Sequence, residues 1–328
     1  MRAWRSGARG LTLETVPVPR PRTGELLVRS EVCGVCRTDL HVVDGELARH
    51  RRAVTPGHQI VGRVVGTGPG VRDVAPGSRV GVAWLHRTCG ACEYCRQGRE
   101  NLCERATFTG WDADGGYAEL LTVPAAFAYP LPDDVDAEAL APLLCAGIIG
   151  YRALRRAELA PGGTLGLYGF GSSAHITARL ALASGAEVVA MTRGAENQRL
   201  AREMGLPFVG DATEVPPHPL DAAIVFAPAG EIVPAALTAT RPGGTVVLAG
   251  IHMSAIPSID YDTTLFRERD LRSVTANTRA DGEEFIRLAL RLGIRASVTS
   301  YEFEELPRAL DDLRSGRRAG SLVVRAAA

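Results

Sequence analysis

Three stretches in the first third of the chain, ELLVRSEVCGVC, QIVGRVVGTGPGV and GSRVGVAWL, are rich in β-branched residues and broken by Gly, Pro and Asp. Short apolar or alternating runs bounded by such breakers predict strands, so this third is expected to be mostly β. The pattern then changes. GGTLGLYGFGSSAHITARLALASGAEVVAMTR reads as an apolar strand, a glycine turn, a helix-length run and a second apolar strand. LDAAIVFAP, GGTVVLAGI and LRSVTAN continue the strand pattern, separated by helix-length segments such as GEIVPAALTATR. Strands alternating with helices predict a doubly wound parallel sheet. The tail contains an amphipathic segment, GEEFIRLALRLG, then SVTSYEF, a short helix ELPRALDDLRSG and a last strand SLVVR. The fold class is therefore α/β. The changes of pattern near residues 146 and 276 predict that 1–146 and 276–328 form a mostly β domain and 147–275 a doubly wound α/β one. No internal repeat or low-complexity segment interrupts this plan.

Length and composition narrow the function. A chain of 328 residues is comfortable for two cores, and 46% apolar residues can fill them. The formal net charge is zero, which gives no reason to expect a nucleic acid or an anionic membrane as partner. No apolar run approaches the ~18 residues needed to span a bilayer. The opening MRAWRSGARG lacks the apolar centre of a signal peptide, so a cytoplasmic location is expected. All 37 Lys and Arg positions are arginine, which excludes a lysine Schiff base or lysine general base.

Seven cysteines are present, four of them within CGACEYCRQGRENLC. Cys89, Cys92, Cys95 and Cys103 can surround a zinc ion tetrahedrally, with backbone N–H groups of tight turns facing the sulfurs. A bacterial iron–sulfur run would close with a shorter gap and a proline; here Glu104 follows a longer one. With no ligand position open, such a metal holds a loop and does no chemistry. In an intracellular chain this cluster reads better as a metal site than as disulfides. Elsewhere the signals are weak one by one. Cys33 and Cys36 form a CxxC, His58 follows a Pro-Gly, and Cys145 is an isolated thiol in an apolar segment, the usual setting of a small buried hydrophobe.

Taken in order, Cys36, the PGH of His58, the cysteine lobe and Cys145 ahead of a dinucleotide glycine turn resemble the zinc-dependent alcohol dehydrogenases of the medium-chain dehydrogenase/reductase superfamily, over essentially the whole chain. The resemblance implies a GroES-like, mostly β catalytic domain and a Rossmann domain. It implies that Cys36, His58 and Cys145 ligate a catalytic zinc, with a fourth position left for water or substrate oxygen. It makes Thr38 the hydroxyl on the substrate oxygen and His41 the end of a proton relay to solvent. Arg37 would contact the coenzyme pyrophosphate, and Asp39 would hold a ligand histidine. Leu47, Trp84 and Leu85 would line the substrate cleft. Zinc lowers the pKa of a bound alcohol, and the released proton must leave a dry site through groups such as a hydroxyl and an imidazole. Two zinc ions per chain, an alcohol or aldehyde substrate and a homodimer or homotetramer follow from the same likeness.

The coenzyme turn is readable without it. Gly169, Gly171 and Ala174 form a G-x-G-x-x-A after a strand and before a helix, the context that dinucleotide binding requires. At the end of the second strand, where an acidic residue would bond a ribose 2′-OH, stand Thr192 and Arg193. A hydroxyl and a guanidinium suit a 2′-phosphate, so NADP(H) is expected over NAD(H). Three positions depart from the family pattern: Gln59 replaces a common Glu beside the zinc, Ile149 a Thr near the nicotinamide, and Ser321 an Arg after Gly320. None removes a ligand. Two other activities remain conceivable: a C=N or C=C reductase on the same fold, and a non-catalytic NADP(H)-binding sensor. Thr38 and His41 together argue for O–H chemistry and against both.

Overall fold

In the computed structural model, which describes residues 1–326, the chain divides into two compact units. The first comprises Met1–Cys145, Ala276–Ile286 and the chain from Arg295 onward. The second holds Ala146–Thr275 and Arg287–Ile294. The helix Arg279–Arg291 thus begins in one unit and ends in the other, which its continuous amphipathic pattern does not signal.

The first unit is built on a mixed sheet. Its strands run in the order Ala128–Pro130, Arg79–Val82, Ile60–Thr67, Glu25–Val35, Ser321–Arg325, Val298–Tyr301, and Leu120–Pro124 also pairs with Glu25–Val35. The last strand of the chain lies antiparallel to Glu25–Val35, with Leu322 opposite Val35, so the tail completes the sheet begun by the N-terminal third. Leu26, Val28, Ile60, Val64, Val80, Val82 and Leu121 pack into one core with Tyr117 and Leu322.

Two ladders of this sheet carry the site. Cys33 pairs with Ile60, and Ile60 pairs with Val82 on its other side. Antiparallel pairing means that residues just past one strand's end adjoin those just before its partner's start. Cys36 and Trp84 therefore flank His58, although each is far from it in sequence.

The second unit is a six-stranded parallel sheet in the order Phe208–Gly210, Glu187–Met191, Thr164–Tyr168, Leu220–Val225, Thr240–Leu248, Asp270–Ser273. Its central strands are apolar on both faces because helices cover both, as in a Rossmann sheet. The order of connection reverses beside Thr164–Tyr168, and ligands of such sheets bind at the carboxyl end of the strand at that point. Among the described residues no single helix is long and apolar enough to cross a membrane.

Candidate active site and metal centres

Cys36 ends the Glu25–Val35 strand and caps the helix Arg37–Val43. Cys145 closes the short turn Ala141–Leu144, which packs over the central strands of the first unit. Gly81 makes that approach possible, since a Cβ there would stand 2.5 Å from the Leu144 side chain. The ligand atoms of Cys36, His58 and Cys145 all lie within 4.8 Å of one another.

His58 is 1% exposed, and so is Asp39. Its Nδ1 donates to Asp39 Oδ1 at 3.1 Å, while its Nε2 is buried without a hydrogen-bond partner. Leaving a buried ring nitrogen unpaired is costly unless a cation meets it. Two thiols and one such nitrogen are the three-residue donor set of a catalytic zinc. The residues fit the ion. Burial pushes the His58 ring pKa down, but the charge and hydrogen bond of Asp39 together with Cys36 outweigh it and lift the value to about 10. Cys36 is held well below the usual thiol range by its contact with Cys145 and by the His58 ring, and the same pairing pushes Cys145 up. Anionic surroundings that grip a proton also grip a metal cation, so metal binding here displaces protons.

Asp39 is the hub that fixes this arrangement. Its carboxylate accepts from Cys36 N (2.8 Å), Gly57 N (3.1 Å), His58 Nδ1 (3.1 Å) and the Tyr117 hydroxyl (3.0 Å). Tyr117 is equally close to the carbonyl of Gly34, at 3.0 Å, and burial pushes its phenol well above the ordinary range. Sequence reasoning missed Tyr117; the doubled glycine before it was the only hint of a close approach. Cys33, the other half of the CxxC, is buried behind the site and outside the ligand group. Gln59 is buried beside Gly34, and its Oε1 has no hydrogen-bond partner.

On the same helix, Thr38 Oγ1 lies 3.8 Å from Cys36 Sγ, and His41 follows one turn later on the same face. His41 Nδ1 is paired with Glu46, a residue the motif reading passed over. Arg37 is exposed in the first turn. The Trp84 ring stands edge-on to His58, centroids 5.0 Å apart at 71°. It stacks with Phe108 at 4.9 Å and Trp111 at 6.2 Å, two aromatics that sequence reasoning did not single out. Leu47 is half-buried at the end of the loop after this helix and lines a small cavity with Val42, His50 and Trp111. Leu85 departs from expectation. It is packed into the core at the start of the short strand Leu85–Arg87, while Trp84 sits in the bend before it.

The cysteine lobe is a second, separate group, its four sulfurs also within 4.8 Å of one another. Cys92 N donates to Cys89 Sγ at 3.3 Å and Cys89 N to Cys103 Sγ at 3.5 Å. Backbone N–H groups of Ala91 and Cys92 pull the Cys89 thiol down to about 5. All seven cysteines are free thiols, and this cluster fits a closed tetrahedral zinc.

In the second unit, Gly169 (φ +87°) turns the chain out of the Thr164–Tyr168 strand, and Gly171 opens the helix Ser172–Ala183. Gly171 has an ordinary φ of −93°, and a Cβ there would meet no protein atom within 4 Å. No protein atom fills the space a Cβ would occupy there, which leaves room for a ligand to approach the backbone, and a helix N-terminus suits a pyrophosphate. Ala174 is buried against the sheet. Thr192 differs from expectation: its hydroxyl accepts from Phe170 N (3.2 Å) and donates to Arg193 O (3.3 Å), tying the glycine turn. Arg193 is exposed.

Fold and site define a zinc-dependent dehydrogenase that uses a nicotinamide coenzyme. Residues 22–133 match the alcohol dehydrogenase GroES-like domain, and residues 174–291 match the zinc-binding dehydrogenase domain. A probable alcohol dehydrogenase of Mycobacterium tuberculosis is 55% identical, covering 94% of this chain and 91% of its own. A cobalt- and zinc-bound alcohol dehydrogenase from Pyrobaculum aerophilum superposes with a TM-score of 0.89 at 28% identity, covering 99% of each chain. A protein assigned as a zinc-binding dehydrogenase from Sinorhizobium meliloti, bound to NADP, gives 0.90 at 28% identity, covering 99% and 98%. The chain belongs to the zinc-binding alcohol dehydrogenase family and is an oxidoreductase acting on a small-molecule alcohol or aldehyde.

Proposed function

We propose that Cys36, His58 and Cys145 hold a catalytic zinc, that Cys89, Cys92, Cys95 and Cys103 hold a structural one, and that the chain interconverts an alcohol and its carbonyl partner with NADP(H). The unpartnered, buried Nε2 of His58 beside two thiols carries this reading. Zinc bound there would polarise the substrate oxygen and acidify an alcohol. The protein's own groups do the rest. Thr38 hydrogen-bonds the substrate oxygen and takes its proton on Oγ1 as it gives up its own. His41 receives that proton at the far side of the helix turn. Asp39, held by Tyr117 and the Cys36 N–H, keeps the His58 ring aimed. Trp84, with Phe108 and Trp111 stacked against it, forms an apolar wall that excludes water and favours flat or small substrates. Gln59 contributes a neutral amide beside the metal and leaves the site less negative than a Glu would.

Gly169, Gly171 and Ala174 form the pyrophosphate turn, with Arg37 as a further contact. Arg193 is the group we assign to a 2′-phosphate, supported by the NADP in the Sinorhizobium meliloti relative. With the Thr192 hydroxyl engaged in the turn, the guanidinium acts alone. We assign residues 1–146 and 276–328 to catalysis and 147–275 to the coenzyme, with the segment Arg287–Ile294 packing in the second unit. The free thiols suit a reducing cytoplasm, and a homodimer or homotetramer is the expected assembly.

Two measurements test the reading. Metal analysis should return two zinc ions per chain, and one would mean the dispersed site does not hold metal. Coenzyme oxidation with a panel of aldehydes should favour NADPH in KM and stop on chelation. A lower KM for NADH would reject the phosphate assignment, and chelator-resistant turnover would reject the zinc mechanism.

A further inference from the structure

The geometry points to Glu46 as the solvent end of the proton path: a positioning carboxylate that orients His41 and carries its proton to bulk water. This inference rests on the proposed role of Thr38 and His41. The His41 side chain is only 13% exposed, whereas that of Glu46, in contact with its Nδ1, is 56% exposed. A proton arriving at His41 therefore meets a carboxylate before it meets open solvent.

The chain is built to put Glu46 there. The helix Arg37–Val43 ends at Asp44, whose N–H donates to Leu40 O at 2.7 Å. Gly45, at φ +76°, reverses the backbone, and Leu47 N donates back to His41 O at 3.1 Å. This folds Glu46 over the last helical turn, where His41 lies. Two outside contacts pin the loop on either side of it. Arg314 NH2 grips both oxygens of Asp44, at 2.9 and 3.2 Å, and Trp111 Nε1 donates to Ala48 O at 2.9 Å.

A carboxylate on Nδ1 selects the tautomer that carries its hydrogen there, so Nε2 is the nitrogen that accepts from the inner side of the path. During alcohol oxidation, Nε2 gains a proton, Nδ1 releases its own to Glu46 Oε2, and Glu46 hands it to water. Only N–H and O–H bonds form and break, charge is conserved, and carbonyl reduction runs the same steps backwards. Other charged groups on elements packed against this helix have their own partners. Arg314 binds Asp44 and Asp311, and Arg5 binds Asp114.

The test compares Glu46→Gln, Glu46→Asp and His41→Gln in the zinc-loaded enzyme. Single-turnover rates, KM values, zinc content and thermal midpoint are measured with and without added imidazole as an external base. Glu46→Gln should slow single-turnover alcohol oxidation roughly tenfold, a fraction of the ~10²–10⁴ that general-base proton transfer contributes. Zinc content and coenzyme KM should hold, imidazole should restore the rate, and Glu46→Asp should keep most of it. A Glu46→Gln rate within twofold of the parent, beside a slow His41→Gln, overturns the role of Glu46 alone. So does a slow Glu46→Gln that neither imidazole nor aspartate rescues, because that is the behaviour of a structural contact. A His41→Gln enzyme at full rate refutes the relay on which the inference rests.

Discussion

Replacing Asp39 with asparagine separates the two metal centres, and its cost can be worked from four hydrogen bonds. Oδ1 accepts from Gly57 N and His58 Nδ1, and Oδ2 from Cys36 N and Tyr117. The asparagine oxygen does least harm in the place of Oδ1, where it still serves Gly57 and His58. Nδ2 then faces Tyr117 and Cys36. Tyr117 can accept from it and turn its own proton to the Gly34 carbonyl, already 3.0 Å away. The Cys36 N–H has no such freedom and is left against an amide NH2. One stranded buried N–H costs about 1–3 kcal/mol, and exchanging a charged acceptor for a neutral one weakens the His58 bond by up to half. The expected loss of stability is about 2–4 kcal/mol. Zinc affinity should fall ~10–100-fold at the dispersed site, as when a ligand histidine loses its carboxylate partner. The cysteine lobe shares no residue with this network and should keep its metal. Denaturant unfolding gives the stability, and chelator competition followed by metal analysis gives the occupancy. The variant should fall from two zinc ions per chain to one at a chelator concentration the parent tolerates. Retention of both ions with parental dissociation rates would refute the claim that Asp39 holds the ligand.

Three further outcomes follow from single contacts. Gly171→Ala should weaken coenzyme binding at least tenfold while moving the unfolding free energy by no more than about 1 kcal/mol, because its Cβ meets no protein atom; unchanged affinity by calorimetric titration would remove the ligand explanation for this glycine. Trp84→Ala should widen acceptance of larger alcohols, read as relative kcat/KM across a chain-length series, and an unaltered ranking would make Trp84 mere packing. Burial holds the His175 ring pKa down to about 4 from its ordinary 6.5. Its neutral form is therefore the one the fold accommodates, and its contribution is whole above pH ~6.5 and lost as pH falls toward ~4, by roughly 3 kcal/mol in all. His175→Gln should flatten that part of the stability curve, and parallel curves for parent and variant would contradict the assignment.

Much of the site was legible because its signals are local. The cysteine lobe declares itself by spacing, and the glycine turn by its place between a strand and a helix. Thr38, Asp39 and His41 share one short helix that Cys36 caps, so their mutual geometry follows largely from helical periodicity. Legibility failed where a residue's role depends on which way its side chain points. Leu85 and Trp84 are adjacent and both apolar, yet Leu85 packs into the core at the start of a short strand while Trp84, in the bend before it, faces His58. Thr192 has the chemistry of a phosphate ligand, but its hydroxyl binds the turn beside it. Tyr117, Phe108 and Trp111 carry no motif; they matter through what they touch.

The sequence by itself determined the class of fold, because hydrophobic period and breakers are local properties of the chain. It also determined which residue types could bind metal and coenzyme, through ordered motifs. Tertiary structure decided everything that depends on strand register. His58 lies between Cys36 and Trp84 only because Cys33 pairs with Ile60 and Ile60 with Val82. A slip of one residue in either ladder would turn the neighbouring side chains to the opposite face. The pattern of types survives such a slip, but the site does not, since a metal or a proton responds to distances of a few ångströms that no linear pattern records.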